Sequence, residues 1–325
     1  MSRSNGHKAA LHLATQSGWH RFERRGEEWI QTDRALTYWS LTCLAVDPVD
    51  PHVVYAGSEH SGLFVTSDGG TTWRRAEPNV PCLMLSSLLA LPDTVLAGTT
   101  PAALYCARSG GKWEELEDVR QGSTSAVFPP SPGLGSRTRY LAADPVAPSR
   151  LYAGIEVGGL LMSDDGGRTW RPANQGLTDP DVHQLLPSAQ TPELVLAACG
   201  EGVFRSQDRA AHWDEITPTG SRTYGTAVAE SSDGTVYLGI ARGRPNTWLR
   251  PERADAAILC SRHAGAGWEL IVKGLRGAVM DICVGPEGDG VLAGTSDGDL
   301  LAIGNSGSHL LASGLPCITA LALGA

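Results

Sequence analysis

An octet occurs twice in closely matching form: Ser163-Asp164-Asp165-Gly166-Gly167-Arg168-Thr169-Trp170 and Thr66-Ser67-Asp68-Gly69-Gly70-Thr71-Thr72-Trp73. In each copy an apolar run comes first, Gly62-Leu63-Phe64-Val65 or Gly159-Leu160-Leu161-Met162. Such a run reads as a strand, Asp-Gly-Gly as a tight turn, and Thr-Trp as the start of the returning strand. Asp accepts backbone N–H groups in the turn, Gly takes the positive-φ positions, and Trp buries a large ring.

Weaker copies end at Trp29, Trp113, Trp213, Trp268 and Leu310. Gly stands three residues before the anchor in six of seven copies, with Ala210 as the exception. Asp stands five before it only as Asp68, Asp165 and Asp208. Turn geometry is thus kept more widely than the carboxylate, as expected of a structural motif. Six of the nine Trp are anchors and read as core.

The anchors 29, 73, 113, 170, 213, 268 and 310 are 44, 40, 57, 43, 55 and 42 residues apart. Running from 310 through 325 and on to 29 adds an interval of 44, so one repeat is shared by the two ends of the chain. A period of this length, with four short strands in each repeat, predicts an all-β, seven-bladed β-propeller of four-stranded antiparallel blades. The whole chain, 1–325, forms the ring. The last blade is closed by both termini: its inner strand falls in 315–323 and its outer three in 10–31. The long intervals mark insertions at 117–136 and 242–255.

Thirty-nine Gly, 20 Pro and 19% charged residues suit many short strands and tight turns. No stretch has sustained helical periodicity, and none is long and apolar enough to span a membrane. The start, Met-Ser-Arg-Ser-Asn-Gly-His-Lys, leads into a strand and not an apolar signal core. That, with seven scattered Cys lacking C-x-x-C and no N-x-[ST] sequon, leads us to expect a cytoplasmic protein with free thiols. Net charge is −9, which argues against nucleic acid or an acidic membrane as partner. The basic residues are 23 Arg against 3 Lys, and Arg offers a planar fork for carboxylates and phosphates.

Strands in a propeller run alternately between two faces. Loops between blades therefore share a face with the loops joining second to third strands, and the Asp-Gly-Gly turns lie opposite. Both insertions project from the first of these faces, and repeat proteins commonly lengthen loops on the binding face. That face collects the carboxylates Glu59, Glu156, Glu201 and Asp181, the candidates for catalysis. It also collects Tyr38, Trp39, His60, Arg137, Arg139, His183, Arg222, Tyr224, Arg242, Arg244 and Trp248 as candidate ligand-binding residues. No metal site or cofactor is expected. Gly294-Thr295-Ser296-Asp297-Gly298 matches G-x-S-x-G but lies in a strand-to-strand turn, where a nucleophile elbow does not form.

The octets resemble the Asp-box, or BNR, repeat of β-propellers, and the resemblance covers the whole chain. That superfamily contains sialidases, two-domain xyloglucanases, the sortilin luminal domain and the photosystem II assembly and stability factors. Sialidases carry Arg-Ile-Pro at the start of a first strand; here Tyr38-Trp39-Ser40 stands at the corresponding point of the first full blade. Xyloglucanases set catalytic Asp residues across a cleft between two propellers, whereas one propeller accounts for this chain. The assembly factors are single seven-bladed rings that bind protein. The expected function is a monomeric, non-catalytic binding or scaffold propeller that takes a protein or an anionic or carbohydrate ligand on the insertion face. The alternative is a glycoside-acting hydrolase or lyase using a carboxylate pair there.

Overall fold

The computed structural model describes residues 9–26, 28–119, 136–247, 253–288, 290–304 and 307–324. Most of the first insertion and residues 248–252 of the second lie outside them, and with them the candidate Trp248. Within the described residues, twenty-eight strands form seven antiparallel sheets of four.

The first blade holds β4 (Leu41–Val46), β5 (Val54–Ser58), β6 (Leu63–Thr66) and β7 (Arg74–Arg75). The next holds β8 (Leu85–Leu91), β9 (Thr94–Thr99), β10 (Leu104–Arg108) and β11 (Glu114–Glu115). Three blades follow on first strands β12 (Arg137–Ala143), β16 (Val182–Pro187) and β20 (Tyr224–Glu230). The second insertion separates β21 (Val236–Ala241) from β22 (Ala256–Ser261), as expected. The sixth blade starts at β24 (Val279–Val284).

The seventh sheet runs β28 (Ile318–Gly324), β1 (Ala10–Thr15), β2 (Gly18–Arg25), β3 (Glu28–Ala35). The C-terminal strand is therefore the inner strand of a blade whose outer strands come from the N-terminus. Six register pairs, from Ala10↔Gly324 to Thr15↔Ile318, close the ring without a covalent bond and cover the inner edge of β1.

The Asp-Gly-Gly turns form as their chemistry requires. Asp68 Oδ1 accepts from Thr66 Oγ1 (2.7 Å) and Thr72 N (2.8 Å), while Oδ2 accepts from Thr72 Oγ1 (2.6 Å). Asp165 repeats this with Ser163 and Thr169, and Asp208 with Ser206 and His212. These bonds, those from Thr72 first, hold the Asp68 carboxyl down at about 2. Gly70 (φ 99) is forced by a neighbour as well as by the turn, because a Cβ there runs into the Trp19 ring.

Trp19 corrects the view that the anchors supply the core tryptophans. It is fully buried and meets Trp73 edge-on with centroids 5.2 Å apart, joining the seventh blade to the first. Trp170 and Trp213 are buried as expected, whereas Trp29, Trp73, Trp113 and Trp268 are half-buried. Packing between blades also explains a run of strand glycines. A Cβ at Gly57, Gly154 or Gly239 would press at 2.8–3.0 Å on Leu85, Val182 or Val279, which open the first strand of the following blade.

Candidate functional site

The seven first strands share a defect that builds the site. Each pairing of a first strand with its neighbour slips by one residue near the insertion face, leaving one residue unpaired. Those residues are Thr42, Ser86, Arg139, His183, Thr226, Met280 and Thr319. A β-bulge redirects a side chain that the pleat would otherwise send into the blade. All seven line one cavity of about 460 Å³ at the axis. Sequence reading located Arg139 and His183 but missed the other five. The available signal was a polar residue at the same point of six of the seven inner strands, as in Leu41-Thr42-Cys43 and Ile318-Thr319-Ala320, with Met280 as the exception.

Three of the bulge side chains also tie their blade to the next. Thr42 Oγ1 donates to Leu85 O (2.7 Å), Thr319 Oγ1 to Leu41 O (2.8 Å), and His183 Nδ1 to Gly225 O (2.6 Å). In each case the acceptor is the residue just before the next blade's bulge. Because a carbonyl can only accept, Nδ1 of His183 carries a proton. Its Nε2 lies 3.2 Å from Tyr224 Oη and 3.4 Å from Asp181 Oδ1. Burial pushes the Tyr224 phenol up, and Asp181 and Glu156 add to this.

The candidates on the face divide into a central and a peripheral group. Glu59, Arg137, Arg139, Glu156, His183 and Tyr224 line the axial cavity. Tyr38, Trp39, His60, Asp181, Glu201, Arg222, Arg242 and Arg244 are not among its lining residues. Tyr38 is exposed, while Trp39 packs its ring on Phe64 with centroids 5.1 Å apart.

Most of the candidate arginines are engaged in ion pairs. Arg137 Nε donates to Glu156 Oε2 at 2.6 Å, Arg244 pairs with Glu201 at 2.7 Å, and Arg222 and Arg242 share the Asp255 carboxylate at 2.8 and 2.7 Å. Asp255 was not foreseen; it reaches these arginines only because the second insertion brings it back to the face. Arg139 differs. Its Nε is 3.7 Å from Glu156 and, among the described residues, it makes no hydrogen bond. Burial and then the neighbouring charge of Arg137 lower its pKa from the usual guanidinium range, with Glu156 acting in the opposite sense.

The carboxylates are held in place too. Burial disfavours the charge on Asp181, but the neighbouring His183, 3.4 Å away, with Arg244 and Arg139, outweighs it and lowers its pKa. Asp179, also missed in the sequence, is pushed upward by burial; it accepts from the backbone N–H of Glu201 and of Asp181 (3.2 Å). Glu59 is half-exposed, 3.8 Å from His60.

Below the bulge ring the axis narrows to a cavity of about 130 Å³ whose wall includes Asp281. Asp281 Oδ1 accepts from Gln184 Nε2 (2.9 Å) and Ile282 N (2.9 Å), and Oδ2 from Leu321 N (2.8 Å). Desolvation still raises its carboxyl to about 6.

No protein-family model matches the chain. It is 23% identical over 314 residues to a probable oligoxyloglucan-reducing end-specific xyloglucanase of Neosartorya fischeri, across 81% of this chain and 38% of that protein. It superposes on the GH74 xyloglucanase of Xanthomonas campestris with a TM-score of 0.68 and 17% identity, over 91% of this chain and 50% of that one. YCF48 bound to D1 peptide matches with a TM-score of 0.57 and 15% identity, over 94% and 86% of the two chains. The chain thus spans half or less of these xyloglucanases. The likeness is one of fold: a seven-bladed propeller whose neighbours include glycoside hydrolases and a peptide-bound propeller, in line with the resemblance read from the octets. No described helix is long and apolar enough to cross a membrane.

Proposed function

We propose that this chain is a non-catalytic binding propeller of the Asp-box kind, working in the cytoplasm, that takes a protein partner or an anionic ligand on its insertion-bearing face. One observation carries the reading: Glu156 and Glu201 are each held by a guanidinium, Arg137 and Arg244 respectively, and Asp181 lies 3.4 Å from His183 Nε2. Glycoside hydrolysis asks for one carboxyl that keeps its proton and a second carboxylate across the bond to be broken. A carboxylate gripped by guanidinium is a poor proton donor. Protein binding has a parallel among the structural neighbours, where YCF48 carries a D1 peptide.

Glycoside hydrolysis is kept as a second reading because Glu59 and Glu156 line the same cavity and two of the relatives are xyloglucanases. One experiment separates the two. Wild type, Arg242→Gln/Arg244→Gln and Glu59→Gln/Glu156→Gln are compared in partner capture from native lysate and in turnover of aryl-glycosides and xyloglucan oligosaccharides. Binding predicts capture that depends on the arginines and no turnover by any of the three. Turnover abolished by the Glu→Gln pair, where loss of a general acid or base typically costs about 10²–10⁴-fold, would overturn it.

A further inference from the structure

The reading above leaves the axial cavity without a ligand class, and the class can be argued from the donors and acceptors around it. We propose that this cavity binds a small hydroxy-carboxylate, with the carboxylate on Arg139 and the hydroxyl groups directed to the bulge ring. The proposal rests on the insertion face being the binding face and goes beyond it in naming the chemistry.

Arg139 supplies the anion site. The bulge aims a guanidinium into a cavity of about 460 Å³, and its side chain stays 25% exposed. Removing a cation from bulk water is costly unless a partner is present. The nearby carboxylate, Glu156, is taken at 2.6 Å by Arg137 and stands 3.7 Å from Arg139 Nε. The terminal nitrogens of Arg139 therefore present a fork that a planar carboxylate fills with two parallel hydrogen bonds.

Charge favours a carboxylate over a phosphate. The cavity wall carries Arg137, Arg139, Glu59 and Glu156 as its charged groups. With Arg137 paired to Glu156, one positive charge faces the cavity and Glu59 opposes it. The four charges sum to zero, so a monoanion paired with Arg139 adds one negative charge to the cavity, whereas a phosphate dianion would add two beside Glu59 and Glu156 in a setting of low dielectric.

The rest of the ring selects hydroxyl groups. Thr42 and Thr319 spend their protons on the carbonyls of Leu85 and Leu41, and Ser86 and Thr100 share a hydrogen bond of 2.6 Å. A hydroxyl whose proton is committed still has acceptor lone pairs. Around the cation the wall is thus rich in acceptors, and these suit a ligand that brings O–H donors. An unsubstituted fatty acid would leave them unpaired, and a neutral polyol would leave Arg139 uncompensated.

The test is isothermal titration of the intact protein with D-gluconate as probe, beside hexanoate, D-sorbitol and inorganic phosphate. Gluconate should bind at least about tenfold more tightly than each control, and Arg139→Gln should weaken it by about 10–100-fold, the range for a charged hydrogen-bonding partner. Arg139→Lys, which keeps the charge and loses the fork, should fall between them. No gluconate binding by wild type, phosphate or hexanoate binding as tightly as gluconate, or unchanged affinity in a folded Arg139→Gln protein would each overturn the proposal. The wild-type comparison decides even if a variant fails to fold. Partner capture that persists without gluconate binding would leave the face reading intact and remove only the ligand class. Conversion of bound gluconate to a new species, seen by NMR, would keep the ligand class and remove the non-catalytic reading.

Discussion

Replacing Asp281 by Asn isolates the cost of a buried charge at the seam of the ring. Asp281 lies on the inner strand of the sixth blade and joins two others: Gln184 of the fourth and Leu321 on the closing strand β28. Desolvation raises its carboxyl from 3.8 to about 6, against the pull of its three hydrogen bonds and of Arg139. The folded chain therefore holds this proton more tightly than the unfolded chain. Between about pH 4 and 6 the folded state binds more protons, so stability falls as pH rises through that window and levels off above it. At 1.36 kcal/mol for each pH unit, the change is about 3 kcal/mol.

The amide introduced by Asp281→Asn cannot ionise, so the variant escapes the pH-dependent cost. It offers one acceptor oxygen in place of two and leaves one of the three donors unmet, a loss of about 1–3 kcal/mol at every pH. The assay is urea unfolding of wild type and Asp281→Asn at pH 4 and pH 7.5. The difference in stability between them should move by about 2 kcal/mol in favour of the variant on going to pH 7.5, since the unfolded carboxyl is already more than half ionised at pH 4. The neighbouring Tyr140 and Cys283 are pushed upward by burial and do not titrate in this window. A difference that stays constant within about 0.5 kcal/mol would refute the claim that the channel carries a desolvated carboxylate.

Three further outcomes test the architecture. Trp19→Ala and Trp170→Ala should each cost about 3–5 kcal/mol in denaturant unfolding, as truncation of a buried ring does, even though only Trp170 belongs to an octet. Gly70→Ala should destabilise by about 1–3 kcal/mol, since the new methyl meets the Trp19 ring at a positive φ; Gly166→Ala, whose Cβ would meet nothing within 4 Å, should cost less, and the same assay compares them. Deleting residues 315–325 removes β28 and bares the inner edge of the seventh blade, so calorimetry should show aggregation or a broad transition in place of one sharp one.

What could be read in the sequence follows from what repeats. Turn chemistry is local: Asp68, Gly70 and Trp73 lie within six residues, and a spacing of about 43 residues between such units fixes both blade count and the split blade. Topology then assigns every loop to a face without side-chain coordinates, which is why the sequence places Arg137, Arg139, Glu156, His183 and Tyr224, all of which line the axial cavity, on one face. Ion pairing was not legible. Asp255 neutralises Arg222 and Arg242 across 33 and 13 residues, and Glu201 meets Arg244 across 43, distances over which no local rule operates.

The bulges explain why the periphery and the axis carry different information. Around the rim, arginine and carboxylate meet pairwise, and half-exposed pairs of this kind contribute at most about 1 kcal/mol each while setting charge pattern and register. At the axis the slipped register brings one residue from every blade into a single small cavity. Six of the seven are uncharged in a neutral-histidine state, and several spend their donors on the adjoining blade. Arg139 is the exception: burial disfavours its charge, and its carboxylate neighbour Glu156, 3.7 Å away, is held more closely by Arg137. Stability alone gives no reason to put a guanidinium where threonine serves at the equivalent position in three other blades. That contrast, between a ring made mostly of hydroxyls and one cation that no ring side chain hydrogen-bonds, makes the axial cavity the place where a ligand and this fold have most to offer each other.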